Sequence, residues 1–95
     1  MKKELNDIQL KKLYEAFEQL ESAEEYKKFL RDLCTSAELK AMAQRFSVAV
    51  MLKNKMVYSE IAEKTGASSA TICRVNQSLN EGAGGYKIAL ERIGE

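Results

Sequence analysis

Between Leu5 and Leu20 the apolar residues Leu5, Ile8, Leu13, Phe17 and Leu20 recur mostly every three to five positions, and Leu10 and Tyr14 widen the stripe. This pattern predicts an amphipathic helix. Its apolar face packs either on its own domain or on a second subunit, since a chain this small has little else to cover it. Ser22-Ala-Glu-Glu25 follows as a capping box, in which the serine oxygen accepts from an orphan amide and the glutamate returns a bond. A second helix starts there, with Tyr26, Phe29, Leu30, Leu33 and Cys34 on one broad face, the aromatic rings reading as core. Thr35-Ser-Ala-Glu38 repeats the signal, so the chain turns near Cys34 and enters a third helix running to about Leu52. On that helix Leu39, Met42, Ala43, Phe46, Ala49, Val50 and Met51 point inward or to an interface. Lys53-Asn54-Lys55 closes it, because lysines suit the negative end of the helix dipole and Asn tolerates a left-handed cap.

The next stretch organises the rest. Met56 to Lys64 and Ser68 to Leu79 predict two short helices joined at Gly66, which can take a positive φ without the steric cost of a Cβ. Ile61 and Ala62 face inward on the first, Ala62 being small where the axes cross, and Ile72 and Val75 share one buried face of the second. Ser68 or Ala67 caps the second helix. Its other side carries Ser68, Ser69, Thr71 and Arg74, short hydroxyls and one forked donor suited to phosphates and base edges. The pattern is that of a helix-turn-helix at about residues 57–79, although a plain helical hairpin with a glycine turn has the same outline. Gly82, Gly84 and Gly85 interrupt the helix, and Tyr86, Ile88, Ala89, Leu90 and Ile93 predict a short final one, with Glu91 and Arg92 on its solvated side.

Ninety-five residues, 45% of them apolar, with no Pro and five Gly, describe one helical domain that gains stability by dimerising. With no His, and with Cys34 and Cys73 lacking metal-ligand spacing, no metal or other cofactor is expected. The two cysteines are expected as buried or half-buried free thiols of a reducing cytosol, with a disulfide between them as the alternative. No run of eighteen apolar residues supports a membrane span, and the start Met1-Lys-Lys-Glu-Leu-Asn-Asp is too polar for a secretory signal, so the expected location is cytoplasmic. The net charge is only +1, but it is unevenly spread. Between Leu39 and Asn80, Lys40, Arg45, Lys53, Lys55, Lys64 and Arg74 face only Glu60 and Glu63, which leaves +4 on the segment containing the motif. A polyanion responds to that local field rather than to the total.

Four segments in order, Leu33-Cys-Thr-Ser-Ala-Glu-Leu-Lys, Ala43-Gln-Arg-Phe, Gly66-Ala-Ser-Ser-Ala-Thr-Ile-Cys-Arg-Val-Asn-Gln-Ser-Leu-Asn and Gly84-Gly-Tyr-Lys, resemble the tryptophan repressor superfamily. Within it the resemblance is to the small tryptophan-repressor-like branch, the YerC/YecD-type proteins of Gram-positive bacteria, and it covers most of the chain. The resemblance implies an all-α, six-helix subunit, an intertwined homodimer built on the N-terminal helices, and two reading helices offered to successive major grooves. Carried over by motif, the amino-acid ligand set of the repressor would be Thr35, Arg45, Thr71, Arg74 and Ser78. Directly after its reading-helix arginine the repressor has glycine and this chain has Val75, whose branched side chain occupies space an indole needs. That departure speaks against tryptophan as the effector.

The primary expectation is therefore a homodimeric regulator of transcription, a repressor in kind, that binds double-stranded DNA through Lys53, Lys55, Ser68, Ser69, Thr71 and Arg74. Lys53 and Lys55 also read as a merely solvated helix end. Thr35 is explained by capping alone, and Arg45 could pair with Glu38 or Glu60, or meet a phosphate or a ligand. A regulator gated by a small aromatic or amino-acid-like ligand, and a helical protein-interaction module without DNA binding, are the alternatives. No nucleophile or proton-transfer constellation can be assembled from these residues, so the chain does not read as an enzyme.

Overall fold

The computed structural model describes residues 2–95, with side chains from Glu4 onward; Met1, which opens the polar start, lies outside the described residues. Six helices follow in order: α1 (Lys2–Gln19), α2 (Ala23–Leu33), α3 (Ser36–Lys53), α4 (Tyr58–Thr65), α5 (Ser69–Glu81) and α6 (Gly85–Arg92). No helix among the described residues is long and apolar enough to cross a membrane. The chain divides into two compact units, one ending at Ser36 and one spanning Ala37–Glu95.

In the first unit, Ser22 caps α2 as its sequence predicts, its Oγ accepting the Glu25 N–H at 3.1 Å. The return bond differs from the expected box. The Glu25 carboxylate accepts the N–H of Glu21, the residue before the cap, at 2.8 Å. Phe17 of α1 meets Phe29 of α2 edge-on at 5.4 Å and lies over Tyr26 at 6.4 Å, while the Tyr26 hydroxyl donates to the Phe17 carbonyl. These rings hold the α1–α2 hairpin, yet none of the unit's described residues is buried. Ile8, Tyr14 and Leu33 are 63%, 58% and 50% exposed.

The second unit has a core of Val48 and Ala49 from α3, Ile61 from α4, Ala67 from the following turn, Ile72 and Val75 from α5, and Leu90 from α6. Burying an aliphatic side chain of this size contributes about 1.5–3 kcal/mol. Val48 adds to the stripe expected on α3, and Met42 and Ala43, expected inward or at an interface, are not part of this unit's core. Val48 is buried, whereas Met42 and Ala43 remain exposed, because α3 packs on the core through the half that follows Phe46.

Two of this unit's helices end in the same way. At the end of α3, the Lys55 N–H bonds to the Leu52 carbonyl and the Met56 N–H to the Met51 carbonyl; at the end of α6, the Gly94 N–H reaches Glu91 and the Glu95 N–H reaches Leu90. Both are Schellman motifs, which need one left-handed residue. In α6 that residue is Gly94, at φ 78°; in α3 it is Lys55, at φ 60°, and not the expected Asn54. Asn54 still lies within the hydrogen-bonded turn, donating to Val50.

Candidate nucleic-acid interface

Helices α4 and α5 are set by the turn between them. Gly66 adopts φ 74° and its N–H closes α4 on the Ala62 carbonyl at 2.9 Å. Thr65 serves both sides of the turn, its hydroxyl donating to the Ile61 carbonyl at 2.8 Å and accepting the Ala67 N–H at 3.1 Å. The Thr65 carbonyl is taken by the side-chain amide of Gln44, reaching from α3 at 3.0 Å. Two of the carbonyls that end α4, those of Ala62 and Thr65, are thereby paired, and Ala67 drops into the core beside Ile61, Ile72 and Val75. Sequence spacing identifies the apolar anchors; nothing in it points to Gln44 or Thr65.

With Ile72 and Val75 turned inward, α5 exposes Ser69, Ala70, Cys73, Arg74, Gln77 and Ser78. Ser68 caps the helix, accepting the Thr71 N–H at 3.2 Å and donating its own hydroxyl to the Thr71 Oγ at 3.1 Å. Thr71 is half-buried and Ser68 exposed. Gln77 and Cys73 are additions to the expected surface, visible by stepping four positions from Cys73 to Gln77 along the face that Arg74 shares. Cys73 is exposed, against the expectation of a buried or half-buried thiol, because its position falls opposite the Ile72–Val75 stripe; Cys34 is half-buried, and both thiols are free. On α4, Lys64 faces Glu60 at 3.9 Å, an exposed i, i+4 pair that offsets part of the local positive charge.

Lys53 and Lys55 stand at the start of this arrangement, flanking the end of α3, and both line a cleft of about 470 Å³ with Leu52, Asn76, Leu79 and Lys87. The Lys53 ammonium donates to the main-chain carbonyl of Glu95. Ser78 lines a second cleft of about 390 Å³ with Phe46, Tyr86 and Ala89, and Arg45, Thr71 and Arg74 stand outside both. Thr35 lies in the first unit, in the turn between α2 and α3. Val75 is 1% exposed and forms part of the core, so α5 is anchored by protein side chains at that position. Among the described residues no cluster of three or more acidic or cysteine side chains could hold a metal ion.

The family described as Trp repressor protein matches residues 8–94. The chain is 42% identical over 91 residues to an uncharacterized Bacillus subtilis (strain 168) protein, YerC, the match covering 96% of this chain and 88% of that one. Among solved structures it is similar to a Staphylococcus aureus Trp-repressor candidate, with a TM-score of 0.86 at 40% identity over 92% of this chain and 87% of the other. It is also similar to a TrpR-like protein from Eubacterium eligens ATCC 27750, with a TM-score of 0.84 at 48% identity over 88% and 87% of the two chains.

Proposed function

Because the chain belongs to the Trp repressor protein family, we propose that it is a homodimeric, sequence-specific DNA-binding transcriptional regulator, a repressor in kind, working as one helical DNA-binding domain. The observation that carries this reading is the Thr65–Ser68 turn. Its left-handed glycine and paired carbonyls fix α5 on the core through Ile72 and Val75 and leave Ser69, Arg74 and Gln77 exposed along its outer side. A helix held rigidly from beneath with polar groups outward suits major-groove readout, where a forked arginine pairs with guanine and an amide with adenine. Ser68 and Thr71, bonded to one another, set the helix start and offer hydroxyls to a phosphate or a base edge at its tip. Lys53 and Lys55 supply phosphate contacts that fix register without reading sequence.

The dimer is supported by the first unit. Its α1–α2 hairpin buries nothing completely and exposes Leu5, Ile8, Tyr14 and Leu33, the kind of surface a second copy covers. In such a dimer the two α5 helices address half-sites about one helical turn, ~34 Å, apart. A corepressor is not required, since Val75 anchors α5 from within the core.

Selection of bound sequences from a random duplex library, followed by salt titration on the recovered site, tests the reading. Enriched half-sites with one-turn spacing are expected. Lys53→Ala should weaken binding to all sequences and lower the logarithmic salt slope by about 0.9 for each phosphate left without its lysine. Ser69→Ala and Arg74→Ala should instead blunt discrimination, with about 1–3 kcal/mol at stake for a bidentate arginine contact. Ile8→Glu should dissociate the dimer and abolish tight operator binding together. A folded dimer that enriches no sequence, or binds without salt dependence, would exclude this function.

A further inference from the structure

We infer that the cleft between the ends of α3, α5 and α6 is a binding site for a small organic anion with an apolar body, and that its occupation releases DNA. Three ammonium groups, Lys53, Lys55 and Lys87, line it against the single carboxylate of Glu91. The Lys53 ammonium also donates to a main-chain oxygen of Glu95, and Lys55 and Lys87 stand beside it on the rim. The floor is apolar, made of Leu52, Leu79 and the fully buried Leu90. Asn80 Nδ2 donates to both the main-chain oxygen and the Oδ1 of Asn76, at 2.9 and 3.1 Å, which orients the two amides and leaves Asn80 Oδ1 and Asn76 Nδ2 as the polar atoms for a guest.

At about 470 Å³ the cleft falls within the roughly 300–1,000 Å³ range of small-molecule sites. Like charges brought to one concave surface favour an anion, and the leucine floor favours a hydrocarbon chain or ring attached to it. The cleft differs from the α1–α2 surface in having a charged rim. The exposed apolar residues Ile88 of α6 and Ile93, its C-cap, stand outside it, while Lys87, Leu90 and Glu91, at i, i+3 and i+4, bring a mixed face to it. It also stands apart from Arg45, Thr71 and Arg74.

The regulatory sense rests on the DNA reading above, because Lys53 and Lys55 would serve phosphate and guest alternately; the binding site itself does not. Phenyl phosphate is the probe, with inorganic phosphate and benzyl alcohol as the charge-only and ring-only controls. In amide NMR of the full chain, phenyl phosphate should shift residues 52–55, 76–80 and 87–91 and bind more tightly than either control. Lys87→Ala, outside the DNA surface, should weaken it about tenfold, the loss of one charge-assisted hydrogen bond, and Glu91→Gln should tighten it about threefold. Labelled duplex should be displaced from the unaltered protein at the same concentrations, and from Lys87→Ala only at about tenfold higher ones. Absent shifts, equal binding of inorganic phosphate, or indifference to Lys87→Ala would overturn the site. Lys87-dependent binding with no displacement of bound duplex would overturn the competition. The same binding by a protein that takes up no duplex would uphold the site and remove the DNA reading instead.

Discussion

Lys55→Gly should make the protein more stable and worse at holding DNA. Lys55 occupies the left-handed position of the Schellman motif that ends α3, at φ 60°, where the matching position of α6 is Gly94. A non-glycine residue in that region costs about 1–2 kcal/mol, because Cβ crowds the following carbonyl oxygen. Replacing it with glycine removes that cost but loosens the unfolded chain by about 0.4–1 kcal/mol. The net gain is about 0.5–1 kcal/mol. For a domain of this size that is a rise of about 2–8 °C in Tm, measured at one fixed protein concentration because a dimer's midpoint depends on concentration.

The ammonium is removed by the same substitution. If each Lys55 neutralises one phosphate, a dimer leaves two phosphates to their counterions, and the slope of log K against log salt should fall by about 1.8. Lys55→Arg separates the two effects, since it keeps both the charge and the strain, leaving Tm and slope close to the parent values. Thermal melts and fluorescence polarisation over a salt series decide the matter. A Tm that drops on Lys55→Gly would refute the strain assignment. An unchanged salt slope would show that the lysine sits in this conformation for some reason other than phosphate contact.

Gly66→Ala and Gly82→Ala should both destabilise, by different mechanisms. A Cβ at Gly66 meets nothing closer than Gln44 Nε2 at 3.9 Å, so its cost is the positive φ alone, about 1 kcal/mol, and Gly66→Asn should recover part of it. At Gly82 φ is negative, but a Cβ would fall 2.3 Å from the Ser78 carbonyl oxygen, which is backbone; Gly82→Ala should cost about 1–3 kcal/mol and Gly82→Asn should recover nothing in denaturant titration. Gln44→Ala leaves the part-buried Thr65 carbonyl unpaired and should cost about 1–3 kcal/mol, with faster exchange of the Gly66 and Ala67 amides; unaltered exchange there would show that the Gln44 bond does not hold the turn.

The order and type of all six helices were legible because local signals agreed with one another: capping residues at Ser22 and Thr35, apolar spacing in Ile61, Ile72 and Val75, and glycines, Gly66 and Gly84, at the left-handed turns on either side of α5. Boundaries and faces were less so, for specific reasons. Met56 falls outside α4 because its N–H completes the end of α3, and α5 runs on through Asn80 and Glu81 because Gly82, not Leu79, is where the Ser78 carbonyl is capped. Val48 was missed because α3 is apolar on more than one face, and which face is buried depends on where α4 to α6 dock. The lysine-rimmed cleft joins residues from three separate segments, and no spacing rule links Lys53 to Lys87.

Among these departures, one differs in kind. At Val48 or Asn80 the observed conformation is one the residue favours, so the sequence was compatible with more than one outcome and packing chose. At Lys55 the residue is in a conformation it disfavours, with Asn54 adjacent and better suited to it. Local preference and native structure normally agree along a foldable chain, and disagreement concentrates where something other than stability is selected. The disagreement falls on a lysine in the turn between α3 and α4, within the most basic part of the chain and on the rim of the lysine-lined cleft. A charge is held there at the expense of the backbone, which is the pattern expected if an anion, whether duplex or small guest, is what the position serves.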